Sequence, residues 1–170
     1  MARRILIVDD IPSNRIVLKV KLASACYETV QAGDGASALQ IAREMPPDLI
    51  LLDVMLPDMP GTEVCRRLKA DPQTADIPVV MVTALREDEA RREALRAGAD
   101  DFLSKPLYES ILLARIRSLL RARDTARELR LREGTSRALG LAEAATPFVL
   151  APQPADARIA LVAPHTDTAG

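Results

Sequence analysis

Histidine is nearly missing from this chain of 170 residues, with His165 its single example, and tryptophan is absent altogether. Aromatic side chains are scarce as well, limited to Tyr27, Phe102, Tyr108 and Phe148, and there are two cysteines, Cys26 and Cys65. With so little imidazole, any acid–base chemistry must run on carboxylates, hydroxyls, lysine or a metal. Two cysteines far from the one histidine make neither a disulfide framework nor a zinc site, so both are expected as small buried apolar side chains. A net charge of -1 with so few aromatics excludes a dedicated single-strand nucleic-acid surface, which needs a basic groove and stacking platforms. No apolar run approaches the ~20 residues of a membrane span, and Asp9-Asp10 interrupt what a signal peptide would keep apolar. A cytoplasmic protein of one domain, or one domain plus an appendage, is the expectation.

What the chain does have is a recurring run of apolar residues that stops on a polar one. Ile5-Leu6-Ile7-Val8 stops at Asp9-Asp10, Leu49-Ile50-Leu51-Leu52 at Asp53, and Val79-Val80-Met81-Val82 at Thr83. Unbroken runs, unlike alternating ones, mark strands covered on both faces. Weaker strands fit residues 29–32 and 101–104. Helical spacing joins Leu18 to Leu22, Ala38 and Leu39 to Ala42, and Val64 to Leu68, and charge-rich stretches at 87–96 and 108–132 supply two more helices. Five strands alternating with five helices over about 125 residues predict an α/β fold, a five-stranded parallel sheet wound on both faces.

The last helix carries Leu112, Ile116 and Leu119 on one face and then continues through Arg121, Arg123, Arg127, Arg130 and Arg132, with Asp124, Glu128 and Glu133 between them. It is too long to end against the sheet. Pro147, Pro152 and Pro154 forbid a continuous helix beyond it. Residues 1–123 are therefore assigned to the folded domain, and 124–157 to a helical extension and Pro/Ala-rich linker. In 158–170, Arg158-Ile159-Ala160-Leu161-Val162-Ala163-Pro164-His165 repeats the pattern of Arg4 to Asp10. This stretch is either the first strand of a truncated second domain or an unstructured tail.

Asp9, Asp10, Asp53 and Thr83 fall at strand ends, and Lys105 follows the fifth strand. All should gather at the carboxyl edge of the sheet, where open parallel sheets bind ligands. Crowded carboxylates repel one another, and a divalent cation is the cheapest relief at neutral pH. Oxygen donors favour magnesium or manganese over zinc or copper. A carboxylate beside such a cation can attack a phosphoryl group, with a lysine and the metal neutralising the transferring oxygens. Residue by residue, plainer readings exist: Asp9-Asp10 as caps of the helix starting near Pro12, Asp53 as a turn acid, Phe102 as core, Lys105 as a solvated charge.

Taken together and in order, these residues resemble the receiver domain of response regulators. The resemblance rests on Asp9-Asp10, on Leu51-Leu52-Asp53-Val54-Met55-Leu56-Pro57-Asp58-Met59-Pro60-Gly61, on Thr83-Ala84, Gly98-Ala99 and Phe102, and on Lys105-Pro106. It implies a flavodoxin-like (βα)5 fold with an extended C-terminal helix, Asp53 as phosphoacceptor, and Thr83 and Lys105 at the phosphoryl oxygens. It also implies Mg2+ (or Mn2+) held by Asp10, Asp53 and the backbone carbonyl of Met55, with Asp9 acting through water. Lys105-Pro106 would be a cis peptide, and Phe102 would be the aromatic that follows Thr83 on switching. The implied partners are a sensor histidine kinase or phosphotransfer protein and a second copy in a phosphorylation-dependent homodimer, with neither nucleic acid nor membrane bound directly.

Val64 to Lys69, Leu113 to Leu119 and Glu128 to Glu133 further resemble the first receiver of PleD-type diguanylate cyclases, in which a second receiver and a cyclase domain follow. That would place the chain at the N-terminal end of a regulator of cyclic di-GMP. The cyclase motif Gly-Gly-Asp/Glu-Glu-Phe is not within these residues, so cyclase activity is not expected of them. The rival expectation is a stand-alone adaptor that acts by docking. A small aspartyl phosphatase fits poorly, because Met55 stands where such enzymes carry a second acid.

Overall fold

The computed structural model describes residues 1–84 and 88–140. Ten elements alternate along them: β1 (Arg4–Val8), α1 (Pro12–Ser24), β2 (Glu28–Ala32), α2 (Gly35–Glu44), β3 (Leu49–Asp53), α3 (Gly61–Ala70), β4 (Val79–Thr83), α4 (Asp88–Arg96), β5 (Asp101–Ser104) and α5 (Glu109–Ala138). The strands form one parallel sheet in the order β2-β1-β3-β4-β5. This is the expected doubly wound flavodoxin-like architecture.

The unbroken apolar runs follow from this order. Within β1, Leu6 and Val8 face a core shared with Ala38 and Ala42 of α2, Val64 and Leu68 of α3, and Ala94 of α4. Ile5 and Ile7 face the opposite core, filled by Leu18 and Leu22 of α1 and by Leu112, Ile116 and Leu120 of α5. None of the four β1 side chains is more than 1% exposed. Burial of each contributes about 1.5–3 kcal/mol, so alternation with polar residues would be costly here. β1 and β3 are adjacent although β2 lies between them in sequence, which makes their carboxyl ends the point where the winding reverses.

Two outcomes differ from the sequence reading. Cys65 is buried as expected, but Cys26 is exposed. Cys26 sits just past the end of α1 with φ 63, where its N–H donates to the Ala23 carbonyl (3.0 Å) and that of Tyr27 to the Leu22 carbonyl (3.1 Å). Those two bonds make a Schellman closure, whose left-handed residue points away from the core. α5, in turn, runs through Gly134 to Ala138 instead of stopping near Arg132. Ion pairs tie it to the sheet's amino edge and the neighbouring loops, from Arg3 to Asp124 (2.5 Å), Arg123 to Asp48 (3.4 Å) and Arg130 to Asp76 (2.5 Å). The proposed strand at 158–165 lies outside the described residues. Among the described residues, no helix is long and apolar enough to cross a membrane.

Candidate functional site

The strand ends deliver the predicted residues to one place. Asp9 and Asp53 are buried and Asp10 is exposed, and one carboxylate oxygen from each of the three lies within 4.8 Å of the others. Lys105 follows β5 across a cis Lys105–Pro106 bond. Its ammonium donates to Asp9 Oδ2 at 2.9 Å and to Asp53 Oδ2 at 2.8 Å. A buried acid pair is thus bridged by a single cation.

Neither acid caps α1. The N-cap is Ile11, without a side-chain cap hydrogen bond, and Pro12 occupies the first helical turn, where its missing N–H costs nothing. Asp9 is instead held in place for the site. Its Oδ1 accepts from the Ile11 N–H (2.9 Å), its carboxylate accepts from Asn14 Nδ2 (3.2 and 3.1 Å), and its backbone carbonyl accepts from Arg15 (2.6 Å). Asp53 Oδ1 accepts from the Met55 N–H at 3.0 Å, which turns the chain tightly just after β3.

The electrostatics of the two buried acids diverge. Burial works against the Asp9 anion, but Lys105, the Ile11 N–H and Asn14 outweigh it and hold its carboxyl below the usual range. For Asp53 burial prevails: its carboxyl is pushed up, with Lys105 and the Met55 N–H offsetting only part, and the Asp9 charge adding to the rise. Lys105 is also desolvated, yet its two carboxylate partners raise its pKa above the ordinary lysine value.

Thr83 is buried at the end of β4, and its backbone carbonyl accepts from the Lys105 N–H at 2.7 Å. In the β4–β5 register Thr83 pairs with Ser104 and Met81 with Phe102, so alternation puts Thr83 and Phe102 on the same face. Phe102 is half-buried there, against the core that contains Met81.

Asn14 and Arg15 escaped the sequence reading, and Asp58 entered it only within the motif, without a role. Asp58 lies in the loop between β3 and α3, and its two oxygens accept from the N–H groups of Gly35 and Ala36 (2.8 Å each) at the start of α2. Those bonds hold its carboxyl below the usual range. Asn14 and Arg15 lie close enough to Asp9 in sequence for the first helical turn to have suggested them. Nothing local links Asp58 to Gly35.

A parallel sheet of this order with three acids and a lysine at its switch point matches the receiver architecture that the sequence resembles, and sequence comparison agrees. The chain belongs to the response regulator receiver domain family, whose profile matches residues 5–117. It is the receiver domain of a two-component response regulator. Response regulator PleD of Caulobacter vibrioides is 49% identical over 141 residues, covering 83% of this chain and 31% of that protein. The DNA-binding regulator RpaA of Synechocystis is 46% identical over 121 residues, covering 71% of this chain and 50% of that one. The chain therefore spans between about a third and about half of these relatives.

Among solved structures, a CheY-like receiver domain protein from Methanospirillum hungatei superimposes with a TM-score of 0.70 at 30% identity, covering 74% of this chain and 99% of that one. The receiver domain of sensor histidine kinase PA1611 from Pseudomonas aeruginosa, with a magnesium ion coordinated in its active-site cleft, gives 0.67 at 29% identity, covering 71% and 98%.

Proposed function

We propose that the chain accepts a phosphoryl group on Asp53 from a phosphohistidine of a sensor histidine kinase or phosphotransfer protein. The observation that carries this reading is the Lys105 ammonium set between Asp9 and Asp53, with the Asp10 carboxylate beside them. A carboxylate oxygen of Asp53 attacks phosphorus, the phosphorus–nitrogen bond to the donor imidazole breaks, and the released nitrogen keeps the electron pair and takes a proton. Lys105 and Thr83 donate hydrogen bonds to the phosphoryl oxygens.

The donor set suits a hard divalent cation: carboxylate oxygens within 4.8 Å, with no sulfur or imidazole among them. Asp10, Asp53 and the Met55 carbonyl would hold Mg2+ or Mn2+, with Asp9 acting through water. When bound, such an ion neutralises charge on the transferring oxygens. The magnesium-bearing PA1611 receiver supports this assignment.

The modified state then biases Thr83 and Phe102, and with them the face made by α4, β5 and α5. This is a shift between conformations already accessible to the fold. The output is association with a second copy. The PleD likeness supports a place in a receiver–receiver–cyclase regulator of cyclic di-GMP: a stretch of 141 residues within 170 takes in all of α5. The DNA-binding relative matches over a shorter stretch, and this reading assigns the chain itself no contact with nucleic acid. A reading frame that continues into the cyclase motif supports the regulator, whereas one that stops favours the docking adaptor.

Incubation with acetyl phosphate and Mg2+, read by intact-protein mass, is expected to add one phosphoryl group to the wild-type chain and none to Asp53→Asn. Equal labelling of the two would overturn the assignment.

A further inference from the structure

Asp58 is bonded to the start of α2, and it fastens the loop that follows Asp53. That loop, residues 54–60, is pinned at its base and again within its span. At the base the Val54 N–H donates to the Val82 carbonyl (3.2 Å), and the Gly61 N–H donates back across the loop to the Val54 carbonyl (2.7 Å). Within the span, the Asp58 carboxylate grips two amides of α2 at 2.8 Å each. Pro57 and Pro60 fix two φ angles of the same loop, that of Pro60 at -59°. Val54, Leu56 and Met59 pack inward against the core on the α2 side. Met55, by contrast, is 68% exposed, so its own side chain does nothing to hold its backbone in place.

α2 does not require Asp58 for its cap. Asp34 is the N-cap, and its carboxylate accepts from the Ser37 N–H (2.7 Å) and hydroxyl (3.0 Å). The Asp58 bonds are a tether from 23 residues away, joining the loop to a helix already capped locally.

We propose that Asp58 is a positioning residue for the cation site: its grip on α2 fixes the loop so that the Met55 carbonyl is presented alongside Asp10 and Asp53. The inference rests on the metal reading above. Residues that orient metal ligands from behind are typically worth 10- to 100-fold in affinity. A tether acting through three residues of loop belongs at the low end, about tenfold.

The test compares Asp58→Ala with Asp34→Ala in the full chain, titrating MgCl2 by calorimetry and following thermal unfolding by circular dichroism. Both variants weaken the same helix start, so both are expected to lower Tm. Only Asp58→Ala is expected to raise the Mg2+ dissociation constant about tenfold, with Asp34→Ala within twofold of wild type. In acetyl phosphate labelling, Asp58→Ala should need more Mg2+ for half-maximal rate while reaching the same maximum. Asp58→Asn keeps one acceptor oxygen and should recover part of the loss, which covers the case where the alanine variant does not fold. An unchanged Mg2+ affinity in Asp58→Ala and Asp58→Asn, or an equal loss in Asp34→Ala, overturns the positioning role and leaves the metal reading standing. A wild-type chain that binds no Mg2+ overturns both.

Discussion

Gly61 opens α3 directly beneath the proposed phosphoacceptor, and replacing it with alanine sets two effects of opposite sign against each other. On helix propensity alone, alanine is favoured by up to about 1 kcal/mol. The packing argues otherwise. A Cβ on Gly61 would be driven into the backbone carbonyl oxygen of Asp53, and would lie 2.9 Å from both its carbonyl carbon and the Val54 Cα. Carbon atoms in contact prefer about 3.5–4.0 Å. The obstructing atoms are all backbone and cannot rotate aside, because Asp53 pairs with Val82 in the sheet and the Val54 N–H is bonded to the Val82 carbonyl. Relief requires α3 to withdraw from β3. That withdrawal breaks the 2.7 Å bond from Gly61 to Val54, worth about 1 kcal/mol, and loosens the packing of Val64 and Leu68. Overpacking adds about 1–3 kcal/mol; set against the propensity gain, the net expectation is a loss of about 1–3 kcal/mol, or about 3–12 °C in Tm for a domain of this size. With no tryptophan in the chain, far-UV circular dichroism through thermal and urea unfolding is the appropriate assay. A Gly61→Ala variant as stable as wild type, or more so, would refute the close-approach argument.

Asp53→Asn is expected to stabilise the metal-free chain at pH 7, because burial raises the pKa of Asp53 and the fold therefore disfavours its anion. A group with a raised folded pKa weakens the fold above that pKa and not below its unfolded value; the gain should therefore vanish below about pH 4, as paired urea titrations at both pH values would show. Added Mg2+ should narrow the gap at pH 7. Cys26→Gly should raise stability by about 0.5–1 kcal/mol, since glycine meets no Cβ penalty in the left-handed conformation at φ 63. An unchanged or lowered urea midpoint in that variant would show that the conformation carries no such penalty.

The fold was legible because burial on both faces leaves a crude signature. Ile5 to Val8, Leu49 to Leu52 and Val79 to Val82 are unbroken apolar runs, and their polar stops mark the carboxyl edge without any further knowledge. Asp9, Asp10, Asp53, Thr83 and Lys105 could therefore be gathered from order alone. The bridging of Asp9 and Asp53 by Lys105 could not, since the two bonds span 96 and 52 residues. The role of Asp58 stayed hidden for the same reason: the amides it binds belong to another helix, 23 residues away in sequence. Cys26 misled because cysteine is a poor marker of a helix end. The signal lay in the backbone, where α1 had to stop and turn toward β2, a position that glycine usually announces.

Three carboxylates facing one ammonium leave the edge with two net negative charges when all are ionised. A divalent cation would cancel them. Phosphorylation as proposed would replace the single charge of Asp53 with about -1.5 to -2 and add strong acceptor oxygens, drawing Lys105 from Asp9 toward the new group. The Lys105 backbone is tied to β4, because its N–H is bonded to the Thr83 carbonyl at 2.7 Å. Any shift of its backbone is therefore felt at the end of β4, on the face where Phe102 sits half-buried. The lysine that Asp9 and Asp53 share in the unmodified site would in this way couple the proposed modification to the packing of β5. A lysine shared between the two acids and one drawn to a phosphoryl group are two distinct arrangements, so the proposed response is a choice between two states instead of a graded drift.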